Sequence, residues 1–224
     1  MWCISIDGHM YSCISNVKGK GIKMNIITLK GIIKDIKYSH TINDIEYYKA
    51  NLLVPRDNGK EDIINLKFKK FSNNFKDSDS ISLTGNIRTY STKENNKNKV
   101  ELYVFTYFDR PEDDSITNEV ILDGTICKSL SKKKTAQGKD VYDFILANNL
   151  PNDNRFLNVY CPMVAWGKLA KELSKLPIGT RISVKGQLKS REYKKFIDET
   201  NYDIKIAHEV AVSAYILQIP EIEL

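Results

Sequence analysis

Apolar and polar residues alternate along most of the chain, and a helical period surfaces only briefly. The alternation is clearest from Arg181 onward. Ile182, Val184 and Leu188 share one phase with Gly186, and Lys185, Gln187, Lys189, Arg191 and Tyr193 share the other. Period-two alternation marks a half-buried strand, so this strand is expected to carry cations and a ring on its outer face. Just upstream, Val159 to Val164 reads as a strand whose end is punctuated by Trp166-Gly167. Leu169, Ala170, Leu173 and Leu176 then fall on one face of a short helix, which Pro177 and Gly179 stop.

The same reading from the other end predicts a long strand over residues 25–38, bent at Gly31 as a strand must be when it serves two sides of a small barrel. Strands follow at Glu46–Val54 and Asp62–Phe68. Phe68, Phe71 and Phe75 have the spacing of a short helical turn. Ser80–Tyr90 alternates again, with Ile81, Leu83 and Ile87 inward and Arg88 and Tyr90 outward. A polar loop is expected over Thr92–Lys99. Val100–Phe108 closes the unit, with Tyr103, Phe105 and Tyr107 on one face and Leu102, Val104 and Phe108 on the other.

After the polar stretch Arg110-Pro-Glu-Asp-Asp-Ser the plan repeats. Thr28-Leu-Lys-Gly-Ile-Ile is answered by Ile121-Leu-Asp-Gly-Thr-Ile, and Ser82-Leu-Thr-Gly-Asn-Ile-Arg by Ser183-Val-Lys-Gly-Gln-Leu-Lys. The expectation is an all-β chain of two tandem five-stranded units, each with a short helix between its third and fourth strands. The boundaries read as a disordered or untranslated leader over 1–23, a first domain over 24–109, a linker over 110–117, a second domain over 118–218 and a short tail over 219–224. In the second domain Ser131-Lys-Lys-Lys-Thr-Ala-Gln-Gly-Lys-Asp is expected to be the loop between the first two strands. It presents Lys132, Lys133 and Lys134 either to a ligand or simply to water.

Composition changes this picture little. The net charge of +6 reflects a local basic balance rather than a global field and favours a polyanionic partner only weakly. Cys3, Cys13, Cys127 and Cys161 form no Cys-x-x-Cys pair. Cys127 and Cys161 lie in strand-like runs and are expected to be reduced core thiols, which implies a reducing, cytoplasmic compartment. No apolar run reaches the roughly 18 residues that a membrane helix requires. His9, His40 and His208 are scattered, the carboxylates are dispersed, and no phosphate loop, nucleophile elbow or metal-ligand spacing occurs. No catalysis, cofactor or metal is expected.

One segment carries a resemblance. Trp166-Gly-Lys-Leu-Ala-Lys-Glu, a spacer ending in Gly, a strand with Gly-Gln-Leu and then Lys-Ser-Arg-Glu-Tyr193 resembles the bacterial single-stranded DNA-binding protein family. The strands Glu119-Val-Ile-Leu-Asp-Gly-Thr-Ile and Asp143-Phe-Ile-Leu-Ala extend the likeness over about residues 117–217. The resemblance implies an oligonucleotide-binding (OB) fold, a five-stranded Greek-key barrel, in each of the two units. It implies single-stranded DNA as partner with little sequence preference, in replication, recombination or repair, and four OB folds in a homodimer, a monomer being the alternative. The chain stops at Gln218-Ile-Pro-Glu-Ile-Glu-Leu, without the linker and acidic tail of such proteins. An accessory protein of a mobile element is therefore expected.

At positions where that family stacks bases, this chain has Trp166, Tyr160 and Tyr193, each of which has core packing as its other reading. Lys185, Lys189 and Arg191 are expected to meet phosphates, or to serve only as surface charge. Lys132, Lys133 and Lys134 are expected either to track the backbone or to cap a solvated hairpin, and Arg88, Tyr90 and Tyr47 belong to a second candidate face. The Tyr103 row is either a continuation of that platform or a protein interface. An interaction scaffold and an RNA-binding protein remain open beside the DNA reading.

Overall fold

The computed structural model describes residues 2–4, 10–12, 24–70, 75–94, 97–106, 111, 113–135, 138–152, 155–196 and 201–218. Nearly all of them lie in strands. β1 (Trp2–Ile4) and β2 (Met10–Ser12) pair antiparallel in a sheet of their own. They fall within the expected leader, whose other residues lie outside those described, as does 219–224. Two compact units account for the chain. The first comprises Ile26–Val120 with Gln187–Val210, and the second Met1–Asn25, Ile121–Gly186 and Ala211–Leu224.

In the first unit β3 (Asn25–Ile42), β4 (Ile45–Pro55), β5 (Glu61–Lys69), β6 (Ser80–Glu94) and β7 (Lys97–Thr106) pair in the closed cyclic order β3-β4-β5-β7-β6. The β5–β7 contact is parallel and the others antiparallel. β3 serves two neighbours, as expected of a long first strand: Ile27–Ile32 pair with β6 and Ile32–Ile42 with β4. Gly31 sits at the changeover, where a Cβ would stand 2.2 Å from the Leu53 carbonyl oxygen. Only glycine tolerates that approach. Register shifts then kink β3 between Lys34 and Lys37 and between Tyr38 and His40. Asp77 accepts the N–H groups of Asp35 and Ile36 at the first kink (both 3.1 Å), and those bonds, Ile36's foremost, lower its pKa. Ile27, Leu29, Ile33, Leu52, Ile64, Leu83 and Ile87 are sealed inside the ring. Each contributes about 1.5–3 kcal/mol of burial.

A polar node ties Gln187–Val210 into this unit. The fully buried Asp62 accepts Arg56 Nε (2.9 Å), Arg56 Nη2 and the Ser190 N–H (2.6 Å), with Lys189 Nζ at 3.6 Å. Both polar groups of Ile63 are met as well: its N–H donates to Ser190 Oγ (2.9 Å) and its carbonyl accepts His208 Nε2 (2.8 Å). The Asn118 amide supplies Leu188 with both halves of a strand partner, at 2.8 and 2.9 Å.

The remaining strands are β8 (Asn118–Lys134), β9 (Asp140–Asn152), β10 (Arg155–Trp166), β11 (Arg181–Phe196) and β12 (Tyr202–Leu217). They pair in the same cyclic order as β3–β7, β8-β9-β10-β12-β11, with β11 returning to β8. Gly124 repeats the role of Gly31, since a Cβ there would lie 2.6 Å from Leu146 Cγ and 2.7 Å from the Ala147 oxygen. Helix α1 (Gly167–Leu173) follows β10 and buries Leu169, Ala170 and Leu173. It lies between the third and fourth strands of this set. The matching turn of the first unit, around Phe71, lies outside the described residues, as do Tyr107 and Phe108.

Three local expectations are corrected. Thr92–Lys99 is largely paired: Thr92 meets Lys99, Lys93 meets Asn98 and Glu94 meets Lys97. Lys132, Lys133 and Lys134 belong to β8, opposite Tyr142, Val141 and Asp140. In both places a backbone ladder anchored in the core runs on through polar residues, which a hydrophobic pattern cannot reveal. Cys161 is buried, and burial pushes its thiol up to about 12. Cys127, however, is exposed, because the register shifts between Ile126 and Lys128 and breaks the alternation at that residue.

Candidate nucleic-acid interface

On β10 of the second unit every second residue faces away from the core. Val159, Cys161 and Met163 are buried, while Phe156, Tyr160 and Trp166 on the opposite phase are 69%, 46% and 41% exposed. The strand rise puts these rings about 13 and 20 Å apart along β10. The backbone turns just after Trp166: Gly167 has φ +60 and opens α1. Between Tyr160 and Trp166 the same phase carries the half-buried Pro162 and the buried Val164.

Two strands away, β8 supplies cations. Register partners align Lys133, Val141 and Trp166 in one transverse row, Lys128, Ile145 and Pro162 in another, and Thr125, Ala147 and Tyr160 in a third. The face is thus a strip of aliphatic residues with rings along one border and Lys128 and Lys133 along the other, about 10 Å away at two strand spacings. Lys133 pairs with Asp143 and Lys132 with Asp140 (3.0 Å). The Asp140 pair raises the pKa of Lys132 and lowers that of Asp140. Lys132 and Lys134 occupy the other phase of β8. Lys185 is exposed on β11.

In the first unit the second candidate face is built from β3, β4, β5, β6 and β7. Arg88 lies 4.0 Å above the centroid of Phe105 and donates to the Tyr103 hydroxyl. Phe105 is only 5% exposed, so the Tyr103–Phe105 row is a covered row rather than a bare one. Lys67 Nζ sits 4.4 and 4.3 Å from the centroids of Tyr90 and Tyr103, and those rings are 5.8 Å apart. Burial lowers the Lys67 pKa, opposed by Glu101. Burial and a bond to Glu101 hold the Tyr90 phenol up at about 12. Tyr47 stacks on His40 at 4.9 Å and lies 6.5 Å from Phe105. Arg88, Tyr90 and Tyr47 are therefore brought together on one unit, joined by Lys67 and Tyr103.

The β11 residues Tyr193, Lys189 and Arg191 also belong to the first unit. Tyr193 is half-buried. Arg191 Nε lies 3.5 Å from Glu209. The Lys189 side chain is 27% exposed and faces Asp62, so its charge is already answered by a buried carboxylate. Sequence reasoning passed over Phe156, Lys128 and Lys67, and also the strand ends where Phe196 meets Tyr202 at 5.9 Å with Lys194 over the Tyr202 ring at 4.1 Å. Phe156 was in view, since it shares the phase of Tyr160.

Among the described residues no group of acidic, His and Cys side chains has the geometry to hold a metal, and no helix is long and apolar enough to cross a membrane. Closed five-membered strand rings of this order are those of the small OB-type β-barrels. The comparisons make this specific. Residues 117–214 match the single-strand binding protein family. The crystal structure of the wild-type single-stranded DNA binding protein from Thermus aquaticus has a similar fold: TM-score 0.66, 18% identity, 90% of this chain and 96% of that one covered. A deletion mutant of the same protein aligns with TM-score 0.66 and 18% identity over 89% and 97%. No curated protein matches significantly.

Proposed function

We propose that the chain forms two tandem OB-fold domains, 24–109 and 118–218, that bind single-stranded DNA with little sequence preference during replication, recombination or repair. The observation that carries the proposal is the β8–β10 face, which lies inside the family segment. Unpaired bases stack on Trp166, Tyr160 and Phe156 while Lys133 and Lys128, about 10 Å away, meet the phosphates. Stacking accepts any base because every base has a flat face. Lys185 on β11 adds positive charge within the same unit. The ion pair of Lys133 is with the half-buried, surface carboxylate of Asp143, costs little to open and lets the lysine turn to a phosphate. Two such domains per chain give four in a homodimer of a cytoplasmic protein.

The test is fluorescence anisotropy of a labelled single strand. Tyr160→Ala and Trp166→Ala should each weaken binding by about 1–3 kcal/mol. Unchanged affinity in both variants rejects this face.

A further inference from the structure

Lys37, Lys49 and Lys67 are successive register partners on β3, β4 and β5, so three cations stand in one row across three strands of the first unit. Like charges directly opposite one another destabilise a sheet. Here Lys49 acts on Lys67 in that sense, adding to the burial that already disfavours its charge. In the neighbouring row Asn51 stands opposite Asn65. These two rows, with Tyr90 and Tyr103, line a hollow of about 300 Å³. That is the lower end of the range for small-ligand sites, about 300–1,000 Å³, and suits a single nucleotide better than a length of strand.

The rim is rich in acceptors. Asn51 Nδ2 donates to Asp35 Oδ2 (3.1 Å), and both residues line the hollow. The Glu101 carboxylate, also on the rim, accepts the Tyr90 hydroxyl. Acceptors complement the exocyclic amino groups of adenine and cytosine. Thymine offers carbonyls there instead. We infer that the hollow is a discrete nucleotide subsite: one phosphate rests on Lys37, Lys49 and Lys67, one base lies against Tyr90 and Tyr103, and amino-bearing bases are favoured over thymine. The inference rests on the single-strand reading and adds a position of base preference to it, in a unit that the family segment 117–214 overlaps only in part.

The experiment is calorimetric titration of the full chain at low salt with dAMP, dCMP, dTMP and inorganic phosphate, beside an oligo-dT strand on the same samples. dAMP and dCMP should bind at least threefold tighter than dTMP, and phosphate alone more weakly than any nucleotide. Lys49→Gln should weaken all three nucleotides at least threefold, Asn51→Ala should abolish the preference, and Lys60→Gln, an equal change of charge at an exposed turn, should alter neither. Equal binding of the three nucleotides, phosphate binding as tightly as they do, or indifference to Lys49→Gln overturns the subsite. A protein that binds oligo-dT but no mononucleotide also overturns the subsite and leaves the proposed function standing. A protein that binds no single strand overturns the proposed function itself.

Discussion

Asp62→Ala tests the polar node that fastens Gln187–Val210 to the first unit. The carboxylate is fully buried, and it meets the Ser190 N–H, two nitrogens of Arg56, whose side chain is 24% exposed, and Lys189 at 3.6 Å. Alanine would leave two largely buried cations and a buried N–H facing a void. Removing one member of a buried ion pair costs about 3–5 kcal/mol, because its partner stays desolvated and unpaired. That is a large share of the roughly 5–15 kcal/mol that holds a domain folded. At a urea slope of about 2–3 kcal/mol per molar, the midpoint should fall by about 1–2 M. The assay is urea unfolding followed by circular dichroism, with Asp57→Ala, a neighbouring exposed carboxylate, as reference. Hydrogen exchange at the Ser190 amide should accelerate in parallel. A midpoint within about 0.3 M of the Asp57→Ala value, with Ser190 still protected, would refute the reasoning.

Other expectations follow from single contacts. Burial lowers the His208 pKa, against the opposing effect of its bond to the Ile63 carbonyl, so its contribution to stability is complete above the unfolded value of about 6.5 and is lost as pH falls toward the lower folded value. The urea midpoint should drop between pH 7.5 and 5.5, and less steeply in His208→Gln; identical slopes would exclude the effect. Gly31→Ala forces a Cβ against the Leu53 backbone, should cost about 1–3 kcal/mol or more, and is read as a lowered melting temperature. Lys133→Gln should flatten the salt dependence of single-strand binding by about 0.7 in log–log slope. Lys189→Gln should leave that slope nearly unchanged and lower stability instead, because its charge faces Asp62.

Much of the strand layout was legible because strands that bury one face must alternate. The β3, β5 and β11 phases and the buried face of α1 follow directly from Ile33, Leu66, Val184 and Leu169. The repeated glycines were legible as a repeat, and Gly31 and Gly124 share a physical cause: backbone carbonyls that approach where a Cβ would stand. Strand ends were not legible. β6, β7 and β8 continue through Lys, Asn and Ser because the ladder needs no apolar side chain at a solvated end. The exposed rings of β10 could be placed by phase alone, whereas the burial of Phe105 could not, since its cover is Arg88 from the neighbouring strand. Lys189 shows the same gap. Its phase is correct for an outward cation, but the carboxylate that engages it lies 127 positions earlier in the chain, at Asp62.

The most direct measurement is a matched titration of the full chain with a single strand, the corresponding DNA duplex and an RNA of the same sequence, each at two salt concentrations. Tight binding to the DNA single strand that weakens as salt rises, with the duplex bound far more weakly, is the predicted result. Binding confined to RNA, equal affinity for the duplex, or no binding to any of the three would contradict the account.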